Sequence, residues 1–353
     1  VFLGGTGGAD MQTRFRTDDV APLPSHVYAL DFPLTGLASS AVSAASFAVT
    51  GTGELASSVL EYRGTRQTVR NTPATLLPAF KGEWHVAAGD VNADGVADTV
   101  YGTAAGTAAQ VLVVDGRTNA VIWQAVPFEG LDLSKRGVFV AAGDVNRDGY
   151  ADVIVTTGAG GPTLVRIFDG RRGNLLREFS PYAAGVTAGV RVAAGDTDGD
   201  GYADVITSPG KGTAPVVNVF SGRLLVAQAP VADTLLRSIT VTAASGPQPE
   251  GIFVAAADMN GDGKADIVTG SSTAPAVRVY DGNSGKPLGT PLVLGSGFTA
   301  GVRVAARAGT VIVSSGVGDD PLVKVFAFAG WQTIDSFTPP GVAKTNRFGL
   351  FVG

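Results

Sequence analysis

Four stretches of this sequence nearly superimpose: VAAGDVNADGVADTVYG from Val86, VAAGDVNRDGYADVIVTTG from Val140, VAAGDTDGDGYADVITSPG from Val192 and VAAADMNGDGKADIVTG from Val254. Their leading aspartates, Asp90, Asp144, Asp196 and Asp258, stand 54, 52 and 62 residues apart. Self-similarity at a period of this length marks a repeat architecture, in which each copy is one supersecondary unit stacked on the next. Within a copy, Val-Ala-Ala-Gly-Asp reads as a first strand and an apolar run such as Asp152 to Thr156 as a second. Leu164 to Phe168 supplies a third and Leu176 to Phe179 a fourth. Hairpin signals at Asp115-Gly116, Asp169-Gly170, Ser221-Gly222 and Asp281-Gly282 join strands three and four. Gly/Pro-rich stretches such as Gly158 to Pro162 and Pro209 to Pro215 separate strands two and three. Each unit is thus an antiparallel meander.

Weaker copies extend the count. GVRVAA from Gly301 repeats GVRVAA from Gly189, without the acidic loop and with VIVSSG and LVKVFAF following directly. Residues 36–80 carry FAVTGTG from Phe47 and SVLEYRG from Ser58, while residues 1–34 carry VFLGGTGG, MQTRFRTDD and HVYALDF, which match strands two, three and four. The strand missing there has a counterpart at the other end, where RFGLFVG (Arg347 to Gly353) resembles the first-strand segment RGVFVAAG (Arg136 to Gly143). The expectation is an all-β fold in a single domain over 1–353: a seven-bladed β-propeller of four-stranded antiparallel blades. The blades fall at about 1–34 plus 346–353, 36–80, 84–128, 138–182, 190–232, 252–294 and 302–338. Pairing of the C-terminal strand with the N-terminal blade closes the ring and removes free strand edges. The rival is the same pairing between neighbouring molecules, a head-to-tail assembly.

Composition agrees. Of 353 residues 49 are glycine, 45% are hydrophobic and only 16% charged, which suits many short buried strands joined by tight turns. Small residues on strand one suit the crowded axis, and Ile167, Phe168, Val279 and Tyr280 on strand three suit the space between blades. Without cysteine the chain has no disulfides and no thiolate metal sites. No apolar run reaches the roughly 20 residues of a membrane span. A net charge of −5 with no basic cluster points away from nucleic acid and anionic membranes. The chain opens at Val1 with neither an initiator methionine nor a basic-then-apolar leader, which reads as a processed or excised product.

The acidic loops carry the chemistry. Asp-x-Asn/Asp-x-Asp-Gly-x-Ala-Asp offers side-chain oxygens at positions 1, 3, 5 and 9, and the main-chain carbonyl at position 7 adds a fifth ligand for a hard cation. The four predicted sites are Asp90, Asn92, Asp94, Val96 and Asp98; Asp144, Asn146, Asp148, Tyr150 and Asp152; Asp196, Asp198, Asp200, Tyr202 and Asp204; and Asp258, Asn260, Asp262, Lys264 and Asp266. Gly95, Gly149, Gly201 and Gly263 sit at position 6, where a sharp turn calls for positive φ. An EF-hand is excluded because position 12 is Tyr101, Val155, Thr207 or Thr269 rather than glutamate. Together the loops hold 13 carboxylates, which repel one another unless cations intervene, and four Ca²⁺ would move the formal charge from −5 to +3. Extracellular calcium modules bind at about 10⁻⁴ to 10⁻³ M, so the expected location is extracellular or the cell surface.

These repeats resemble the FG-GAP/VCBS repeats of integrin α-subunits and of many secreted bacterial proteins, strongly from Val86 to Leu294 and more weakly elsewhere. The resemblance implies four calcium loops on one face of the ring and an adhesion or ligand-binding role toward a protein or carbohydrate at the cell surface, with the chain a monomer. Alternatives are a structural subunit of a surface layer or fibre, and a domain of a polysaccharide-active protein. Catalysis finds little support: the two histidines, His26 and His85, fall on different blades, and no nucleophile motif or phosphate loop accompanies them. The chain is therefore not expected to be an enzyme. Lys135, Arg136, Lys211, Asp319 and Asp320, on the face opposite the acidic loops, are candidates for a partner surface.

Overall fold

The computed structural model describes residues 46–50, 59–63, 66–70, 84–338 and 351–352, with interruptions at 106–107, 132, 134–135, 211, 242–250, 296, 300 and 317–318. The chain divides into two units, Val1–Leu37 and Ala38–Gly353, and every described residue belongs to the second. Its strands in chain order are β1 (Ser46–Thr50), β2 (Val59–Arg63), β3 (Arg66–Arg70), β4 (Trp84–Gly89), β5 (Asp98–Thr103), β6 (Val111–Val114), β7 (Val121–Ala125) and β8 (Val138–Gly143). There follow β9 (Asp152–Thr157), β10 (Val165–Phe168), β11 (Leu175–Phe179), β12 (Val190–Gly195), β13 (Asp204–Pro209), β14 (Val216–Phe220), β15 (Leu235–Thr240) and β16 (Ile252–Ala257). The last are β17 (Asp266–Ser271), β18 (Ala276–Tyr280), β19 (Pro287–Val293), β20 (Val302–Arg307), β21 (Thr310–Ser315), β22 (Val323–Ala327), β23 (Gln332–Phe337) and β24 (Phe351–Val352).

Five blades are antiparallel meanders of four consecutive strands: β4–β7, β8–β11, β12–β15, β16–β19 and β20–β23. A further four-stranded sheet, in the order β24-β1-β2-β3, takes its innermost strand from the C-terminus through the pairs Val49 with Val352 and Thr50 with Phe351. β24 packs beside β20 on one side and β4 on the other, so the inner strands close on themselves. The expectation of seven blades is thus corrected to five meander blades of consecutive strands among the described residues. Phe351–Val352 is the first strand foreseen from RFGLFVG and pairs within its own chain, but it completes the sheet of residues 46–70 rather than a blade of residues 1–34. That N-terminal stretch lies outside the described residues. The physical reason is that sequence similarity identifies which strand type a segment is, whereas backbone hydrogen bonding decides which sheet lacks that strand. In the β12 blade the fourth strand comes later than foreseen. Short helices, Gly222–Val226 and Val231–Thr234, fill the hairpin connection and push β15 beyond residue 232.

Burial follows from blade stacking. Second strands such as β9 and β13 are buried at every residue because a neighbouring blade covers each face, whereas β11 and β15, on the rim, are mostly exposed or half-buried. The core is a set of layers between blades. Val145, Val165, Ile167, Val205 and Phe220 form one, and Val268, Val279, Val302, Val311 and Phe326 another. Close approach at the axis explains the glycine that ends strand one. A Cβ on Gly89 would stand 2.7 Å from that of Ala142 and 2.9 Å from that of Ala151, and one on Gly195 would stand 2.6 Å from that of Ala265. The last blade lacks this alanine, having Gly309 in its place, and there the preceding strand ends in Ala257.

Candidate metal centre

Each acidic loop is shaped by its own carboxylates. Asp90 accepts backbone N–H bonds from Asp94 (3.0 Å) and Gly95 (2.9 Å), and Asp144 accepts from Asp148 (3.0 Å) and Gly149 (2.9 Å). Asp196 accepts from Gly199, Asp200 and Gly201, and Asp258 from Gly261 and Gly263. Position 3 repeats the pattern one step on, with Asn92, Asn146, Asp198 and Asn260 each accepting from the residue at position 5. Position 5 then accepts from position 7. These local bonds fold the chain around its own oxygens. The glycines at position 6 have φ of 82°, 88°, 86° and 82°, as their sequence position requires. Position 4 is left-handed too, and in two loops a non-glycine, Ala93 (φ 56°) or Arg147 (φ 59°), is held there. Strain of about 1 to 2 kcal/mol at such a residue persists only where the surroundings over-determine it.

Position 9 does a different job. Asp98, Asp152, Asp204 and Asp266 are fully buried at the start of strand two. One carboxylate oxygen accepts the position-2 N–H, as in Val91 to Asp98 (2.8 Å), Val145 to Asp152 (3.0 Å), Thr197 to Asp204 (3.0 Å) and Met259 to Asp266 (3.0 Å). The other accepts from the glycine of the strand 3–4 turn: Gly116 (2.8 Å), Gly170 (3.1 Å), Gly222 (3.2 Å) or Gly282 (3.0 Å). These glycines were legible only as hairpin residues. Their recurrence 18, 18, 18 and 16 residues after the position-9 aspartate is the signal that marks them as part of the site. No side chain fits there, because a Cβ on any of the four would lie 1.8 to 2.0 Å from the position-8 alanine carbonyl. That alanine also ties blade to blade: Ala151 donates its N–H to the Asp90 carbonyl, Ala203 to Asp144 and Ala265 to Asp196 at 2.7 to 2.8 Å, and Gly309 to Asp258 at 2.9 Å. The four loops form one bonded series along one face.

The donor set suits a hard divalent cation. Asp196, Asp198 and Asp204 bring carboxylate oxygens within 4.8 Å of one another in the third loop. The other loops have asparagine at position 3, so fewer acidic groups converge. Burial, first of all, drives the position-9 acids upward, to about 6 for Asp98 and Asp204 and about 7 for Asp152, and Asp266 shifts the same way. Backbone N–H bonds oppose the shift, while Asp115, Asp148, Asp198 and Asp262 add to it by repulsion. A carboxylate disfavoured by both burial and neighbours is one that a divalent cation relieves. The position-5 acids are partly engaged: Asp94 pairs with Arg117 at 3.1 Å and Asp200 with Arg223 at 3.2 Å. Position-7 side chains turn to neighbours, Tyr150 under Arg171 and Tyr202 under Arg147, while the Lys264 stem lies against Gly199.

Three of the five residues expected at a partner surface are described. Asp319 is buried and accepts from the Thr299 backbone N–H (2.7 Å) and hydroxyl, a loop-building role, while Asp320 is exposed. Arg136 packs along Gly160 and Gly161; Lys135, Lys211 and His26 lie outside the described residues. His85 is buried at the axis, with its ring stacked on Phe139 at 4.0 Å.

A model of the FG-GAP-like repeat matches residues 144–207, and a model of the FG-GAP repeat matches residues 251–286. No curated protein sequence matches. Among solved structures the chain is similar to one in a mitotic checkpoint complex, at 13% identity over 72% of this chain and 64% of that one, with a TM-score of 0.43. It is also similar to the exotype rhamnogalacturonan lyase YesX, at 13% identity over 84% of this chain and 63% of that one, with a TM-score of 0.43. A rhamnogalacturonan lyase of Bacillus licheniformis matches at 13% over 84% and 71%, with a TM-score of 0.40. The chain spans a little under two thirds of the length of the first two. Recurrent acidic loops at the ends of inner strands, four-stranded meanders around one axis and two matching repeat models together show a β-propeller arrangement that carries FG-GAP repeats at residues 144–207 and 251–286.

Proposed function

We propose that this propeller is a calcium-stabilised, extracellular adhesion or ligand-binding module, with Ca²⁺ held by the loops at residues 90–98, 144–152, 196–204 and 258–266. One observation carries the reading: the same self-folded acidic loop recurs four times on one face, each with a fully buried aspartate at position 9. Asp, Asn and main-chain oxygens are the donors that calcium prefers, and at millimolar calcium each site adds roughly 0.5 to 2 kcal/mol. Such stabilisation is absent at cytosolic calcium, which supports a location outside the cell. The experiment is titration calorimetry with CaCl₂ beside melting curves in calcium and in EDTA. Binding heat and a lower Tm in EDTA are expected; no heat and an unmoved Tm overturn the reading.

Binding rather than catalysis is the proposed activity, and its partner is a protein or carbohydrate of the cell surface. Pairing of β24 within its own chain supports a monomer, since that strand is already spent. Glycan and matrix-protein arrays probed in millimolar calcium test the partner class. Retention of one class of ligand supports the module, and turnover of a polysaccharide without stable retention refutes it.

A further inference from the structure

The turn glycine that brackets each acidic loop is followed by Arg117, Arg171, Arg223 or Asn283. In the first and third loops that arginine reaches the position-5 aspartate: Arg117 Nε lies 3.1 Å from Asp94 Oδ2, and Arg223 Nε lies 3.2 Å from Asp200 Oδ2. We propose that Arg117 and Arg223 are tethered cations that compete with calcium for their loops and so set the calcium concentration at which each of these sites fills. The inference rests on the calcium reading above and adds to it the residues that grade the affinity.

The alternation between loops has a structural cause. In the second and fourth loops the equivalent oxygen takes a neutral donor from within the loop, Asn146 Nδ2 donating to Asp148 Oδ2 at 3.2 Å and Asn260 Nδ2 to Asp262 Oδ2 at 3.1 Å. In the first loop the Asn92 amide turns instead to Asp115, at 3.3 Å, and the third loop has Asp198 at that position, with no amide to give. The turn arginine supplies the donor in both. The second loop also has an arginine, but Arg171 lies over the Tyr150 ring, 5.1 Å from its centroid. Position 7 of the first loop is Val96, which offers no ring, and position 7 of the third is Tyr202, whose ring holds Arg147 of the neighbouring loop at 5.6 Å. Capture by a position-7 ring thus decides whether the turn arginine is left for the carboxylate. Arg117 grips position 5 twice, because its Nη2 also donates to the Asp94 carbonyl at 2.6 Å. Both paired arginines are 58% exposed, and ion pairs of such exposure are weak enough to exchange. An arriving divalent cation must displace the guanidinium or share the carboxylate with a like charge, so affinity falls without being abolished.

The test titrates the full chain, labelled with ¹⁵N-glycine, with CaCl₂. The Gly95, Gly149, Gly201 and Gly263 amides, each bonded to the position-1 aspartate of its own loop, report the midpoint of each site by NMR. The second and fourth loops, with three carboxylates each like the first, are expected to fill at calcium concentrations about three- to tenfold lower than the first. Arg117→Gln should lower the first midpoint by a similar factor, and Arg223→Gln the third. Arg117→Lys, which keeps the charge without the fork, should give a value between those of Arg117→Gln and the unaltered protein. Tyr150→Val releases Arg171 and should raise the second midpoint, and adding Arg171→Gln should cancel the rise. An arginine that only props up its loop predicts the opposite sign. A first loop that fills no later than the second and fourth, or an Arg117→Gln midpoint that is unchanged or raised, therefore overturns the proposal and leaves calcium binding standing. Amides that ignore calcium in all four loops overturn the proposal and the calcium reading together.

Discussion

Replacing Gly170 by alanine isolates the bracket that joins an acidic loop to its hairpin turn. The new Cβ would stand 1.8 Å from the Ala151 carbonyl oxygen and 2.8 Å from its carbon, so the turn must retreat by more than about 1 Å before contact is tolerable. The Gly170 N–H bond to Asp152 is already 3.1 Å and does not survive that retreat, leaving a buried carboxylate one donor short. Losing a hydrogen bond to a charged group costs about 1.5 to 3 kcal/mol, and the displaced backbone adds to it. A net loss of about 2 to 4 kcal/mol is expected. Gly149→Ala is the control: its φ of 88° strains an alanine by about 1 to 2 kcal/mol, but nothing lies within 4 Å of the added carbon. Urea unfolding in millimolar calcium measures both. Trp123 reports the displacement, because its indole N–H donates to the Gly170 carbonyl at 2.6 Å. If Gly170→Ala costs no more than Gly149→Ala and leaves the Trp123 emission unchanged, the bracket is not what holds the loop.

Ala93→Gly relieves a left-handed alanine and should raise stability by about 1 kcal/mol in a denaturant melt; a loss would show that the strain is not there. His85 is lowered to about 3 by burial, with Arg303 and Arg191 contributing, so its neutral form is the folded form. Stability linked to it is complete above the unfolded value of 6.5 and is lost as pH falls from there toward 3, by about 2 kcal/mol at pH 5. His85→Gln should flatten that part of the curve between pH 7 and 5, and a slope equal to that of the unaltered protein would refute it. Deleting residues 347–353 removes β24 and bares the edge of β1, so a lowered Tm and concentration-dependent association by light scattering are expected; an unchanged, monomeric protein would contradict closure by that strand. Asp198→Asn gives the third loop the asparagine of the other three and should weaken its calcium affinity severalfold without abolishing it, as read by calorimetry.

The meander, the period and the acidic loops were legible in the sequence because each depends on neighbours within a few residues. Turn chemistry at Asp115-Gly116 and Asx-type bonding are local, and position-6 glycine announces its own φ. RFGLFVG was likewise recognisable as an inner strand. Blade number was not legible, because it depends on which sheet lacks an inner strand, and Val352 reaches Val49 across some 300 residues of chain. The bracket from Gly170 to Asp152 and the inter-blade bond from Ala151 to Asp90 have the same character. By itself the sequence determined what each segment is. Only the tertiary structure decided what each segment meets, since packing and long-range hydrogen bonds answer to the closed geometry of the ring rather than to adjacency along the chain.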